Sequence, residues 1–236
     1  MIFGGSSSSG ATQDFAAARN EMVARQIRSR GIISSRVLDA MASVPRHEFV
    51  PTGALASAYS DEALPIGGGQ TISQPYMVAL MTNALQLSGT ERVLEVGGGC
   101  GYQAAVLSLL AQDVIVVELQ PALAGASRER LARLGYTNVR VEEGDGSLGW
   151  PAGAPYDAIL VSAAAPAIPP PLIEQLAEGG CLAIPVGGSE RQDLVRIVKR
   201  SGELERESLC ACRFVPLLGR YGWPSSVLDE VQGSPV

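Results

Sequence analysis

The sequence predicts a doubly wound α/β fold: a mostly parallel sheet with helices on both faces, preceded by a helical addition and closed by an antiparallel C-terminal strand pair. Three observations lead there. From Arg92 onward, short apolar runs alternate with helical patterns. Runs such as Val114-Ile115-Val116-Val117 and Ala158-Ile159-Leu160-Val161 are apolar throughout, as strands covered on both faces must be. Between the run Arg92-Val93-Leu94-Glu95-Val96 and the helix after it stands a glycine-rich turn, Gly97-Gly98-Gly99-Cys100-Gly101, the position at which α/β proteins bind nucleotides.

Residues 1–13 are expected to be a flexible Gly/Ser tail; they lack the charged start and apolar centre of a signal peptide, and Ile2 excludes myristoylation. Asp14 to Arg30 predicts a helix with Phe15, Met22, Val23 and Ile27 near one face, stopped by Gly31. Ser34 or Ser35 caps a second helix that carries Val37, Leu38, Met41 and Val44 and ends at Pro45. From Arg46 to Pro75 no period holds, and Pro51, Gly53, Pro65 and Gly67-Gly68-Gly69 predict loop. A long irregular stretch in a compact domain is functional or disordered, and Tyr59, Leu64 and Ile66 are not the composition of disorder. Met77 to Leu87 resumes a helix. Strands over 92–96, 114–117, 138–141, 158–161 and 181–186 then alternate with helices over 102–110, 122–134 and 168–177. Leu194 to Lys199 and Ser208 to Val215 form the closing pair. The expected organisation is a helical addition over 14–87 that carries a substrate and cofactor loop, a core over 88–223, and tails at 1–13 and 224–236.

Composition narrows the function. The 236 residues are 46% hydrophobic, enough for a large core. Against 24 Asp and Glu there are 18 Lys and Arg, a net charge of −6, with no basic stripe to neutralise phosphates; nucleic acid is not an expected partner. No apolar run approaches the ~18 residues of a spanning helix, so no membrane partner is expected. Cys100, Cys181, Cys210 and Cys212 match no disulfide framework, which suits a reduced, cytoplasmic protein. Cys210-Ala211-Cys212 lacks the further ligands of a structural metal site, so no metal is expected. Any histidine-based triad would have to use His47, the single histidine, whose expected role is structural.

The site motif is Glu95-Val96-Gly97-Gly98-Gly99-Cys100-Gly101-Tyr102. A dinucleotide fingerprint needs glycine where Tyr102 stands. An acid followed by Gly97, Gly99 and Gly101 suits a ligand without pyrophosphate that passes close over the backbone and brings a cation to Glu95. S-adenosylmethionine, with its ammonium and sulfonium, is such a ligand. A carboxylate inside an apolar strand is costly without a partner, which is why Glu95 calls for one. Glu118 ends the second strand, where an acid grips ribose hydroxyls, and Asp145 and Gly146 of Gly144-Asp145-Gly146 leave the third, where an adenine edge lies. The fourth strand runs into Ser162-Ala163-Ala164-Ala165-Pro166, not the Asn/Asp-Pro-Pro-aromatic segment of nucleic-acid amino methylation, and no cysteine follows a proline as in cytosine C5 methylation. The acceptor therefore needs no strong base.

One segment is more specific than the rest: Tyr59-Ser60-Asp61-Glu62-Ala63-Leu64-Pro65-Ile66-Gly67-Gly68-Gly69-Gln70-Thr71-Ile72-Ser73-Gln74-Pro75. With Pro45-Arg46-His47-Glu48-Phe49-Val50-Pro51, Ala163-Ala164-Ala165-Pro166 and Phe214-Val215-Pro216-Leu217, it makes the chain resemble the protein-L-isoaspartate (D-aspartate) O-methyltransferase family from about Met22 to Trp223. The resemblance implies the Rossmann-like fold of S-adenosylmethionine-dependent methyltransferases. It implies methyl transfer to the free α-carboxylate of isoaspartyl, and in some members D-aspartyl, residues of damaged proteins, with S-adenosylhomocysteine as product. It places Ser73 on the active-site serine, and Gln70, Thr71, Ile72 and Tyr76 on the cofactor and substrate cleft. Ala164, Val215 and Pro216, with Ser73, fall on the acceptor side. The chain departs from the family at Gly98 and Cys100, where Thr and Ser are usual. The chemistry agrees: an α-carboxyl of pKa about 3.3–3.7 is already a nucleophile at neutral pH, so alignment and water exclusion suffice. A monomer is expected. A peptide-tailoring aspartate O-methyltransferase and a non-catalytic cofactor-binding module are the alternatives.

Overall fold

The computed structural model describes residues 14–224; the expected tail over 1–13, and that over 224–236 beyond Pro224, lie outside them. Asp14 caps α1 (Phe15–Glu21), its carboxylate accepting the N–H groups of Ala16 and Ala17 at 3.0 Å each. The expected single helix to Arg30 then changes pitch, into a π turn over Met22–Ile27 and a 3-10 turn over Arg28–Arg30, ended by Gly31 at φ +96°. The wider turn puts Met22, Val23 and Ile27, four and five residues apart, on one buried face. α2 (Ser35–Ser43) buries Val37, Leu38 and Met41 beside it.

The stretch expected to be loop contains a hairpin. β1 (Leu64–Gly67) pairs antiparallel with β2 (Gln70–Ile72), Leu64 opposite Ile72 and Pro65 opposite Thr71. Gly67, Gly68 and Gly69 all take positive φ, which only glycine accepts freely. Strands of four and three residues are too short to show a period, so only the turn was legible. α3 (Pro75–Ala84) follows, with proline at its first position.

The core strands are β3 (Arg92–Val96), β4 (Asp113–Glu118), β5 (Val139–Glu143), β6 (Tyr156–Val161), β7 (Leu176–Gly187), β8 (Gln192–Arg200) and β9 (Glu203–Cys212). They form one seven-stranded sheet in the order β5-β4-β3-β6-β7-β8-β9. The pairs from β5 to β7 are parallel; β7-β8 and β8-β9 are antiparallel. Helices α4 (Tyr102–Ser108), α5 (Pro121–Arg133) and α6 (Pro170–Gln175) connect them. β7 begins at Leu176 and not Cys181, because α6 stops at Gln175 and leads straight into the strand. β9 begins at Glu203, earlier than its apolar residues suggest, because the added part is an exposed sheet edge on which charges are tolerated and deter edge pairing.

Alternate residues of each central strand feed opposite cores. Val93, Val114 and Val116 pack with α1 to α4, while Leu94, Ile115 and Val117 pack with Leu172, Leu176 and Leu217. The chain runs from β3 outward to β5 and then returns to place β6 against the other side of β3. That reversal opens a crevice at the carboxyl ends of β3 and β6.

Candidate active site

Gly97 begins the turn after β3 with its N–H on Val117 O at 2.9 Å, and Gly101 closes it with its N–H on Gly98 O at 2.9 Å. Gly97, Gly99 and Gly101 lie at φ +84°, +52° and +88°, where any other residue is strained. Gly98 is required for a different reason: a Cβ there would overlap Val116 Cγ1 on β4. The departure at Gly98 is thus matched by a bulky neighbour beneath the loop.

Two carboxylates stand beside this turn, Glu118 at the end of β4 and Glu95 one residue before the end of β3. Glu118 is buried; its Oε2 accepts Gly99 N–H at 2.8 Å and its Oε1 accepts Gln120 N–H at 2.9 Å. It ties the glycine turn to the segment after β4. Glu95 is fully buried, and neither of its oxygens has a hydrogen-bond partner among the described residues. Burial, and secondarily the negative Glu118, push its pKa well above the ordinary carboxylate value. A cationic group entering the crevice would relieve both effects.

The β1–β2 hairpin roofs the crevice. Ile66 lies over Gly99, and Gln120 Nε2 donates to Gly68 O at 3.0 Å, joining the hairpin turn to the far wall. The cleft so formed holds about 880 Å³, counting the solvent in its mouth. Of the residues singled out from the sequence, Gln70, Thr71, Ile72 and Ser73 line it on the hairpin side. Glu95, Gly97, Gly99, Glu118 and Gly146 line it on the strand side, and Val215 and Pro216 at one end.

Four others stand behind the wall. Tyr76 lies under the Arg30 guanidinium at 3.4 Å, with its N–H on Asp61 Oδ1 at 3.1 Å. Gly101 caps α4. Ala164 is buried and hydrogen-bonds to Val215 and Leu217 through its backbone. The Asp145 carboxylate is engaged by Ser147 and Arg220. His47 also stands apart, stacked on Phe15 at 4.0 Å with Nδ1 2.8 Å from Tyr59 Oη; burial lowers its pKa.

Arg46 was not singled out. It is fully buried and has no carboxylate partner among the described residues; Nε donates to Ala58 O and Nη2 to Ser73 O, each at 2.8 Å, and the guanidinium lies 4.8 Å from the centre of the Tyr102 ring. Burial lowers its pKa below the usual arginine value. An arginine in a turn between Pro45 and His47 reads as solvent-facing, and nothing local reveals that it holds the Ser73 loop. Val78, Met81 and Gln103 also line the cleft from helices whose pattern signals only core. The four cysteines are free, Cys100 among the cleft residues, and among the described residues no group of three or more His, Cys, Asp or Glu is placed to hold a metal.

A family model described as protein-L-isoaspartate (D-aspartate) O-methyltransferase matches residues 17–222. The chain belongs to this family. A protein-L-isoaspartate O-methyltransferase of Roseiflexus sp. (strain RS-1) is 57% identical over 217 residues, covering 92% of this chain and 99% of its own. One from Methanoculleus marisnigri is 55% identical over 209 residues, covering 89% and 95%. Among solved structures, a protein-L-isoaspartate O-methyltransferase superposes with a TM-score of 0.79 at 31% identity, over 86% of this chain and 67% of that one. A Plasmodium falciparum protein described as a putative member, solved with S-adenosyl-L-homocysteine, gives 0.72 at 27%, over 85% and 98%. The isoaspartate methyltransferase fold therefore accounts for the helical addition as well as the sheet.

Proposed function

We infer that this chain is a protein-L-isoaspartate O-methyltransferase, transferring the methyl group of S-adenosyl-L-methionine to the free α-carboxylate of L-isoaspartyl residues in damaged proteins. The observation that carries the reading is the cleft itself, where the glycine turn, a buried Glu95 without a hydrogen-bond partner among the described residues, and Glu118 line the same space as the Ser73 loop. These residues fit the cofactor: a cation satisfies Glu95, and the glycines let a ligand approach the backbone. When bound, it supplies an electrophilic methyl group.

The protein's part is to bind, orient and dry the reactants. Gly97, Gly99 and Gly146 form the cradle; Glu118 retains lone pairs for two hydroxyls; Gln70, Thr71 and Ile72 cover it from the hairpin. Ser73 donates a hydrogen bond that orients the acceptor carboxylate, with Val215 and Pro216 as the wall beside it. Because an α-carboxyl is ionised above about pH 4, no side chain has to remove a proton. A methyl ester expels methanol far more readily than a carboxylate expels oxide, so the next backbone nitrogen attacks the ester carbonyl, gives up its proton and releases methanol, closing a succinimide that hydrolyses in part to normal aspartate. The free cysteines support a cytoplasmic setting, and no helix among the described residues is long and apolar enough to cross a membrane. A monomer acting on unfolded or damaged polypeptide completes the proposal.

The test is a methyl-transfer assay on one peptide in its aspartyl and isoaspartyl forms. Transfer confined to the isoaspartyl peptide is expected. Equal transfer to both favours the tailoring alternative, and none, with the cofactor bound, the binding module.

A further inference from the structure

After β9 the chain returns to the cleft as a strap. Phe214 N–H donates to Gln192 Oε1 at 2.7 Å, and Val215 to Leu218 then line the cleft. Ala164 fixes them from the β6 side: its N–H donates to Val215 O, and its carbonyl accepts Leu217 N–H, both at 2.8 Å. The strap then doubles back, with Trp223 N–H on Leu217 O at 2.7 Å and Trp223 Nε1–H on Ala164 O at 3.1 Å.

Between Leu218 and Trp223 lies a turn whose Arg220 and Tyr221 are exposed. Asp145 holds it. Asp145 Oδ2 accepts Arg220 N–H at 2.8 Å; Oδ1 accepts Ser147 N–H at 2.9 Å and Ser147 Oγ–H at 2.6 Å; and Ser147 Oγ accepts Tyr221 N–H at 3.0 Å. Gly219, at φ +141°, is packed so closely that a Cβ on it would overlap Asp145 Oδ1. Asp145 itself leaves β5 beside Gly146, which lines the opposite side of the same cleft.

We propose that Asp145 is a positioning residue: from the cofactor side of the cleft it holds the turn that closes the strap, and so sets the wall, Val215 to Leu218, against which the acceptor docks. The inference rests on the isoaspartate methyltransferase reading above. A carboxylate is the side chain the position needs, because three donors converge on it and it brings none of its own. Asparagine cannot replace it, since its NH2 must face either Arg220 N–H or the Ser147 donors. A lost hydrogen bond to a charged acceptor shifts an equilibrium about tenfold or more, so the strap opens while the glycine cradle stays intact.

The experiment compares Asp145→Asn and Gly219→Ala in the full chain. The second keeps the carboxylate but displaces the turn, so it still tests the proposal should the first not fold. Three quantities are measured: the calorimetric Kd for S-adenosylhomocysteine, kcat and KM for an isoaspartyl peptide, and the rate of tryptic cleavage after Arg220. Both variants are expected to raise the peptide KM about tenfold, to keep the S-adenosylhomocysteine Kd within about twofold, and to speed cleavage after Arg220. A weakened S-adenosylhomocysteine Kd in Asp145→Asn with unchanged peptide KM and cleavage would make Asp145 an adenine contact and overturn the proposal. An unchanged peptide KM in both variants overturns it as well. A wild-type protein that fails to methylate the isoaspartyl peptide overturns the function reading instead, and in that case the cleavage rate alone decides whether Asp145 holds the strap.

Discussion

In the proposed mechanism Glu118 serves binding and Ser73 orientation, and substitutions separate the two roles. Glu118 holds two backbone N–H groups and, in the proposed complex, two ribose hydroxyls. Hydrogen bonds to a charged group contribute about 1.5–3 kcal/mol each, so Glu118→Ala is expected to raise the cofactor Kd at least ~10-fold by calorimetry. It also leaves Gly99 and Gln120 N–H without their acceptor, so the unfolding temperature should fall. An unchanged Kd would remove Glu118 from the cofactor site. Ser73→Ala should act on turnover, lowering kcat/KM about 10–100-fold with little change in cofactor Kd. Since the acceptor is already ionised, the mutant's pH–rate profile should keep the wild-type shape near neutrality; a missing limb would mean that Ser73 takes part in proton transfer. That both residues line the cleft was legible in the sequence through their place, one at a strand end and one in a specific loop. Arg46 was not, because its meaning lies in contacts to Ala58 and Ser73 that only the folded chain brings together.

At the scale of elements, the parallel strands were legible because burial on both faces leaves unbroken apolar runs such as Val114 to Val117. The β1–β2 hairpin and the start of β9 were not. The first is too short for a period, and the second is written in charges, Glu203, Glu205, Arg206 and Glu207, because it forms an edge. Yet the hairpin is the element that roofs the cleft, and one exposed hydrogen bond, Gln120 Nε2 to Gly68 O, joins its turn to the opposite wall. A neutral hydrogen bond contributes about 0.5–1.5 kcal/mol, which is roughly a 2–10-fold change in rate. Gln120→Ala should therefore speed release of S-adenosylhomocysteine by that factor in a stopped-flow displacement experiment, with no change in unfolding temperature. An identical release rate would show that the hairpin is held by Ile66 and its neighbours alone.

The whole molecule carries a cost in Glu95 that, in the proposed complex, the ligand removes. Placing an acid in the fully buried central strand, at the point where the sheet reverses direction, suits a cationic ligand and destabilises the empty protein. The sign follows from linkage. Glu95 has a folded pKa well above its ordinary 4.5, so below that value it is protonated in both states and contributes nothing. As pH rises through 4.5 the unfolded chain ionises while the folded one resists, and stability falls until the folded pKa is reached. Glu95→Gln abolishes this slope. Without ligand, the variant should unfold at a higher temperature than wild type at pH 7, by about 2–4 °C for each kcal/mol relieved, and the difference should vanish as pH drops below the ordinary glutamate range. With saturating S-adenosylmethionine the order should reverse, because only the carboxylate can pair with the ligand's cation. Differential scanning calorimetry across that pH range, with and without ligand, measures both halves. A Glu95→Gln protein that is less stable than wild type when empty at pH 7 would mean that Glu95 is satisfied inside the fold and has no charge to offer a ligand.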